Sequence, residues 1–135
     1  MKQGLGFNLI ELLVVVFIIA VLAAISYPTY QQLVIKVRRS DAQSELTKAQ
    51  ITQSSYHILH PTYLLDTELV GLPLDDEFYE FSVVAISNNN YLMKAEAKVN
   101  TSQANDQISC QTLFIDQNNN KTSDGILDNS ECWQD

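Results

Sequence analysis

Hydrophobic residues dominate the chain from Phe7 to Ile25, and a single carboxylate, Glu11, interrupts them. As an α-helix, this segment would extend about 28 Å, which is enough to cross the hydrocarbon core of a membrane. A carboxylate inside a membrane helix costs about 2.5–3.5 kcal/mol on insertion scales. We therefore expect Glu11 to have a specific partner.

Three interpretations of this segment are open. The segment is either a cleaved secretory signal peptide with Lys2 as its positive end, or a plain single-span anchor, or a helix in which Glu11 pairs with a partner. In the third case, cleavage after Gly6 would free the α-amine of Phe7, and Glu11 lies four residues further along the same helix face. The carboxylate would pair with this amine in its own chain or in a neighbouring chain, which offsets the cost of burying both charges. Only pairing between chains would fix the stagger of subunits in a helical bundle.

The helical pattern continues beyond Pro28. A proline inside a helix removes one hydrogen bond and usually kinks the helix, although Pro28 is also compatible with a helix end. Past it, hydrophobic residues recur at helical spacing between polar ones. We predict one long helix from about Phe7 to about Tyr56, with a kink at Pro28 and an outer half packed on a globular part. The two hydrophobic stripes are Tyr30, Leu33, Val34 and Val37, and then Ala42, Leu46, Ala49 and Tyr56.

The remainder of the chain has the pattern of an antiparallel sheet. Strands are predicted at Phe78–Ile86, Tyr91–Val99 and Ile108–Ile115, after a loop over 61–77, and the second strand alternates apolar and polar residues. A small sheet with one apolar face needs a cover, which the outer half of the helix supplies. The predicted fold class is therefore α+β: a long amino-terminal helix packed on a three- to four-stranded antiparallel sheet.

The two cysteines, Cys110 and Cys132, both follow the hydrophobic segment. An even count in a small exported domain indicates a disulfide, with two free buried thiols as the alternative. A bridge would add roughly 3 kcal/mol in the chain-entropy model and would tie the polar tail, 116–135, to the third strand. Trp133 next to Cys132 is predicted to cover the core, with an exposed contact as the alternative.

The formal net charge is −8, and it is unchanged without the first 28 residues because Lys2 and Glu11 cancel. An acidic surface repels nucleic acid at long range, so we do not expect nucleic acid as a direct partner. A basic cluster follows the hydrophobic segment and would either pair with acidic residues of neighbouring subunits or form a solvated stem. Its members are Lys36, Arg38 and Arg39.

No motif in the sequence predicts catalysis, so we expect neither an enzyme nor a cofactor. Oxygen-bearing side chains alternate from Asp116 to Asp124 as in a calcium loop, but the Gly at its sixth position and the Glu at its twelfth are missing. Asn-rich tight turns have the same composition, so the sequence does not decide whether this loop binds calcium. His57 and His60 have no third ligand nearby, and we predict no metal site.

The segment Gly6-Phe7-Asn8-Leu9-Ile10-Glu11 resembles the leader junction of type IV prepilins, and the resemblance continues to Pro28. Asn8 departs from the usual Thr but keeps a hydrogen-bonding side chain. The resemblance implies that a prepilin peptidase cuts between Gly6 and Phe7 and methylates the nitrogen of Phe7. It also implies that Phe7, Asn8 and Glu11 act in assembly, Glu11 by setting the register.

Two further segments resemble the same family. Residues 38–43 (Arg-Arg-Ser-Asp-Ala-Gln) are similar to minor pilins of the PilE-like group, and Cys132-Trp133 is similar to the end of the disulfide-bounded region of pilins. The resemblance implies a leader at 1–6, a transmembrane and assembly half-helix at 7–28, and a periplasmic or extracellular globular part at 29–135. It implies a single pass through the bacterial inner membrane with a cytoplasmic amino terminus, followed by residence in a cell-surface pilus.

The partners implied by this resemblance are other pilin subunits, the prepilin peptidase, the inner-membrane assembly machinery and the lipid bilayer. The predicted function is that of a structural, minor subunit of a type IV pilus that supports pilus biogenesis, twitching motility, adhesion or DNA uptake. One alternative is a pseudopilin of a type II secretion system, which a calcium loop without a disulfide would favour. The other is a pilus-borne receptor, which an exposed basic or aromatic patch would favour.

Overall fold

A computed structural model describes residues 7–87, 89–124 and 131–133, with the side chains of 85 and 86 left undescribed. It contains one long α-helix, a four-stranded antiparallel sheet and two short 3-10 helices. The chain divides into two compact units, with the second beginning at Ile35. The elements are α1 (Leu9–Leu59), β1 (Tyr79–Ser87), β2 (Asn90–Ala97), β3 (Thr112–Asp116) and β4 (Lys121–Ser123), with the 3-10 helices Ser102–Asn105 and Ile108–Cys110 between β2 and β3.

The first unit contains the amino-terminal part of α1. The helix passes Pro28 without interruption, so the alternative that Pro28 ends the helix is excluded, while the kink stays a prediction. Every side chain from Phe7 to Leu33 is exposed. Within the described residues, α1 is the one helix long and apolar enough, by length and composition, to cross a membrane.

The second unit is built on a sheet in the order β1-β2-β3-β4, in which all neighbouring strands are antiparallel. The outer half of α1 covers the apolar face of this sheet, as predicted. Val99 falls outside the core and is 83% exposed, because β2 ends at Ala97. The principal core residues are Ala42, Leu46 and Ala49 of α1 with Tyr91, Met93, Ala95, Leu113 and Ile115 of the sheet.

The sheet differs from the sequence prediction at its third and fourth strands. β3 begins at Thr112, because residues 108–110 form a 3-10 helix that leaves Ile108 82% exposed. The side-chain amide of Gln111 holds this turn by donating to the carbonyl oxygens of Ala104 (2.9 Å) and Asp106 (3.1 Å). The tail then supplies a fourth strand, β4, which backbone pairing with β3 stabilises.

Four buried polar side chains, Arg39, Tyr79, Gln103 and Asp106, form a network that we call the polar clamp. The Arg39 guanidinium lies 2.9 and 3.0 Å from the two carboxylate oxygens of Asp106. The Gln103 side-chain amide donates to the backbone oxygen of Ile35 (3.1 Å) and to the Tyr79 hydroxyl (2.8 Å). The clamp therefore ties α1 to the segment between β2 and β3.

The polar clamp corrects the expectation for the basic cluster. Arg39 is 3% exposed and paired within its own chain, so neither a solvated position nor pairing with a neighbouring subunit applies to it. Arg38 lies with its guanidinium 3.7 Å from the centre of the Phe78 ring and donates to the Ser102 hydroxyl. Burial, with a smaller contribution from the Asp106 carboxylate, raises the pKa of Tyr79 and keeps its hydroxyl neutral.

Replacing one partner of the ion pair is expected to destabilise the fold strongly. Arg39→Ala leaves the Asp106 carboxylate buried without its cation, so we expect the free energy of unfolding to fall by about 3–5 kcal/mol. Urea unfolding of the full-length chain in detergent measures this change. The double variant Arg39→Met with Asp106→Leu removes both charges and should recover most of the loss. A decrease of less than about 1 kcal/mol for Arg39→Ala would contradict this role of the clamp.

Candidate functional site

Three of the predicted assembly residues, Phe7, Asn8 and Glu11, lie at or just before the amino terminus of α1. Asn8 precedes the helix, and its side-chain oxygen lies 3.5 Å from the backbone nitrogen of Ile10. The Asn8 backbone oxygen also accepts from the backbone nitrogens of Glu11 (3.0 Å) and Leu12 (3.1 Å). Asn8 is thus placed as the residue that caps the helix, a position for which Asn is well suited.

Glu11 lies in the first turn of α1, three residues after the cap. A carboxylate there interacts favourably with the helix dipole, and this spacing is that of a capping box. Glu11 therefore has a possible local role beside the predicted one between subunits. Gly6 lies outside the described residues, whereas Phe7 is 74% exposed. Cleavage and methylation at this junction stay predictions.

The apolar surface on both sides of Glu11, from Leu9 to Ile25, has no cover in the single chain. Ten large hydrophobic residues of this surface are each at least 43% exposed. Lipid or the helices of other chains would remove this surface from water, which is the main source of stabilisation available to it. These residues are Leu9, Ile10, Leu12, Leu13, Val15, Phe17, Ile18, Ile19, Leu22 and Ile25.

The predicted disulfide between Cys110 and Cys132 is confirmed, with an S–S distance of 2.02 Å. It links residue 132 to the 3-10 helix before β3, and not to β3 itself. The tail is also attached to α1, because the Gln43 amide donates to the backbone oxygen of Cys132. Trp133 is 6% exposed and its indole nitrogen donates to the backbone oxygen of Thr122 (2.9 Å), which confirms the prediction that it covers the core.

The candidate calcium loop is a hairpin between β3 and β4 over its described residues. One oxygen of Asp116 accepts from the backbone nitrogens of Asn118 and Asn120, both at 2.8 Å, and the other accepts from the Asn120 side chain at 2.7 Å. Asn119 has a φ of 63°, a conformation that Asn tolerates better than most residues. The Asp116 carboxylate thus has a structural role in a tight turn.

Ring stacking at the end of α1 was missed in the sequence. Tyr56 stacks on His60 (4.0 Å between ring centres), and His57 stacks on Tyr63 (4.2 Å). Tyr63 meets Tyr91 edge to face at 4.8 Å, and burial raises the pKa of Tyr91 to about 12. The spacing of Tyr56 and His60 by four residues was the available signal. The two histidines thus pack as rings against tyrosines.

The fold and the apolar amino-terminal helix together define a pilin. Residues 28–114 match the family model described as "Type IV minor pilin ComP, DNA uptake sequence receptor", and residues 1–27 match the prokaryotic N-terminal methylation motif. The chain therefore belongs to the ComP family of type IV minor pilins and is a minor subunit of the type IV pilus. A search of the curated proteins found no significant match.

Two solved structures share the fold. The chain is similar to a type IV pilin from Shewanella oneidensis, with 19% identity and a TM-score of 0.58 over 75% of this chain and 99% of that one. It is also similar to the non-core minor pilin PilV from Neisseria meningitidis, with 14% identity and a TM-score of 0.56 over 75% of this chain and 95% of that one. These two structures confirm the predicted pilin fold. The pilin family and the pilin fold are those of structural proteins.

Reduction of the disulfide should release the tail from the globular unit. We expect slower migration on denaturing gels after reduction, and a loss of about 3 kcal/mol in the free energy of unfolding. The double variant Cys110→Ser, Cys132→Ser is the control, because its mobility should not respond to reductant. Equal mobility of the parent chain with and without reductant would contradict the presence of the bridge in the purified protein.

Proposed function

We propose that this minor pilin is stored in the bacterial inner membrane, loses residues 1–6, and enters the pilus through α1. The observation that carries the proposal is the apolar surface of α1, which is fully exposed in the single chain and preceded by a methylation motif. Such a surface is removed from water either in lipid or among the apolar helices of other pilins. The role is structural, and the proposal includes no catalysis.

The proposed topology places the amino terminus in the cytoplasm and residues 29–135 outside, with 7–28 as the spanning and assembly segment. Lys2 is the one basic residue before the apolar segment, so the positive-inside rule gives modest support for this orientation. The peptidase would cut between Gly6 and Phe7 and methylate Phe7. Assembly machinery in the inner membrane would then transfer the mature chain into the filament.

Glu11 is proposed to set the stagger between neighbouring helices. Once cleavage frees the Phe7 amine, a carboxylate and a cation lie in the same apolar surroundings, where each is costly alone. Pairing Glu11 of one chain with the amine of the next satisfies both charges in a single relative position of the two helices. The capping position of Glu11 offers a competing, purely local explanation, and a charge-neutral variant separates the two.

Two substitutions of Glu11 test its role. Glu11→Ala should leave cleavage at Gly6 and methylation of Phe7 intact, as measured by mass spectrometry of the mature amino terminus, while it lowers incorporation into sheared pili at least about tenfold. Glu11→Gln keeps a side chain suited to the capping position but removes the charge, and should be equally defective. Incorporation of Glu11→Gln at the parental level would show that capping is sufficient and would contradict the register role.

DNA uptake is the process that we propose this pilus subunit supports, because the matching family is described as a DNA uptake sequence receptor. The same description favours a second candidate, direct binding of DNA. The net charge of −8 argues against broad electrostatic capture, so a receptor role would need a local, sequence-selective contact.

Uptake and binding are measured separately. Deleting the chain should lower uptake of DNA by living cells at least about tenfold, and restoring it should recover uptake. The full-length chain in detergent should not retain labelled duplex DNA at 0.15 M salt, because few phosphates can be neutralised by so acidic a protein. Retention that survives this salt and depends on DNA sequence would establish the receptor role and overturn our expectation. Unchanged uptake after deletion would contradict the proposed function.

A further inference from the structure

The backbone of β1 pairs with another strand along one side only. β1 stands at one end of the sheet order, so its other side forms an edge of the sheet. Backbone groups of successive residues in an antiparallel pair point alternately toward the partner strand and away from it. The backbone nitrogen of Lys98, just after β2, donates to the oxygen of Phe78 at 2.9 Å, so Phe78 faces β2. In the observed register Glu80, Ser82 and Val84 face β2 in the same way.

The residues between them point their backbone N–H and C=O groups to the open edge. These residues are Tyr79, Phe81 and Val83. The Tyr79 nitrogen has a partner there, because it donates to the Asp76 carboxylate at 2.7 Å. The backbone nitrogens of Phe81 and Val83 have no acceptor at this edge in the part of the chain that the structure describes. Such an edge can accept an additional strand, which is how several domains bind extended peptides.

The edge of β1 has little of the protection that exposed edges usually have. Proteins commonly protect an edge strand with proline, with lysine or with a bulge. β1 contains neither proline nor lysine, and its irregularity lies at its far end, between Ala85 and Ser87. Glu80 is the one charged residue of the strand, and it is exposed. The stretch 79–84 is therefore regular and open to pairing.

A groove of about 330 Å³ lies between this edge and α1. Its lining includes Phe81 of β1, Asp41 of α1 and Glu77 of the loop before β1, and among the described residues none of β2 lines it. The groove therefore lies on the open side of β1. Because side chains alternate across a sheet, every second residue of an added strand would lie on the same face as Phe81, beside this groove.

The charges of the groove that are left without a partner are negative. Asp41 and Glu77 are exposed, and neither belongs to an ion pair within the described part of the chain. The Glu45 carboxylate also lines the groove, but it pairs with Lys48 at 2.6 Å. An added strand would thus meet two carboxylates that have no cation of their own.

Two other charges of the groove are engaged within the fold. Arg38 is the one cation among the described lining residues, and its guanidinium lies over the Phe78 ring and donates to the Ser102 hydroxyl. The Asp76 carboxylate accepts from the backbone nitrogens of Phe78 (2.9 Å) and Tyr79 (2.7 Å). The two exposed carboxylates therefore decide which charge the groove attracts, and they favour a basic side chain.

We propose that the edge of β1 binds an extended, lysine- or arginine-rich segment of another protein, which adds a strand to the sheet and places basic side chains beside Asp41 and Glu77. Hydrogen bonds to the backbone of Phe81 and Val83 supply affinity, and the carboxylates select a basic sequence. A second copy of β1 fits this edge poorly, because it would bring Glu80 and Glu77 to an edge of the same sign. The proposal goes beyond the entry of α1 into pili and does not depend on it.

A synthetic strand tests the site directly. The probe is the fluorescent peptide Lys-Thr-Lys-Val-Lys-Val-Lys-Thr, which carries its lysines on one face when extended. Fluorescence polarisation measures its binding to the full-length chain in uncharged detergent at about 0.15 M salt. We expect saturable binding. A peptide with N-methylated central amides keeps every charge but loses the hydrogen-bond donors, so it should bind at least about tenfold more weakly. A peptide with glutamates in place of the lysines should not bind.

Substitutions in the groove test the selection for basic residues. The double variant Asp41→Asn, Glu77→Gln should raise the dissociation constant of the lysine peptide at least about threefold, as expected for the loss of two exposed ion pairs. Glu68→Gln is the matched control, because Glu68 is an exposed carboxylate that does not line the groove. This variant should bind the peptide like the parent chain.

A substitution in the strand tests the backbone contact. Val83→Pro removes an N–H that points to the open edge and leaves the hydrogen bonds between β1 and β2 in place, as proline in an edge strand allows. It should weaken peptide binding at least about threefold. Val83→Ala is the control, because it loses the same half-buried side chain but keeps the N–H, and its binding should match that of the parent chain.

Hydrogen exchange of the parent chain gives a readout that needs no variant. In the free chain, NMR should record faster exchange for the amides of Phe81 and Val83 than for those of Glu80 and Ser82, which face β2. Addition of the lysine peptide should slow the exchange of the first pair.

Four results would overturn the proposal. They are equal binding of the N-methylated peptide, which indicates attraction by charge alone; equal loss of binding in Val83→Pro and Val83→Ala; protection by the peptide at β4 and not at β1; and protection of Phe81 and Val83 in the free chain that rises with its concentration. The last result would show that a second copy covers the edge. None of them would affect the role of Glu11, which incorporation into pili measures separately.

Discussion

The continuity of α1 from Leu9 to Leu59 is the constraint on which the rest of the structure depends. Its first part is apolar on every side and exposed, whereas its later part presents only one apolar face, which the sheet covers. A single helix therefore meets two environments. The globular unit provides the cover for the second part, and only lipid or other helices can provide it for the first. The proposed storage in the membrane and assembly into the filament both depend on this uncovered part.

The globular unit is held to α1 by polar as well as apolar contacts. The polar clamp joins Arg39 and Ile35 to the segment between β2 and β3, and Gln43 joins the helix to Cys132 of the tail. Farther along, Gln53 exchanges hydrogen bonds with the backbone of Leu64 after the helix ends. Buried polar groups of this kind favour one relative position of helix and loops, because any other would leave them without partners.

The charge of this protein is better described by its arrangement than by its sum. The total of −8 indicates repulsion from nucleic acid and from other copies. Yet opposite charges meet locally within the fold, as in the buried ion pair of Arg39 and Asp106. The strongly acidic charge of this chain is compatible with a family described as a DNA uptake sequence receptor if the recognition of DNA is similarly local.

The sequence alone determined the class of protein, the long helix, the approximate places of three of the four strands and a disulfide as the expected state of the two cysteines. These features depend on local periodicity, on turn residues and on a contiguous motif. All three can be recognised in the sequence without knowledge of the contacts made in the folded chain. Tertiary structure decided the burial of Arg39, the start of β3 at Thr112 and the pairing of β4, whose segment is too polar to predict burial. The burial of Arg39 depends on a partner more than 60 residues away in the chain. The start of β3 depends on the side chain of Gln111, which donates to backbone oxygens of the preceding loop.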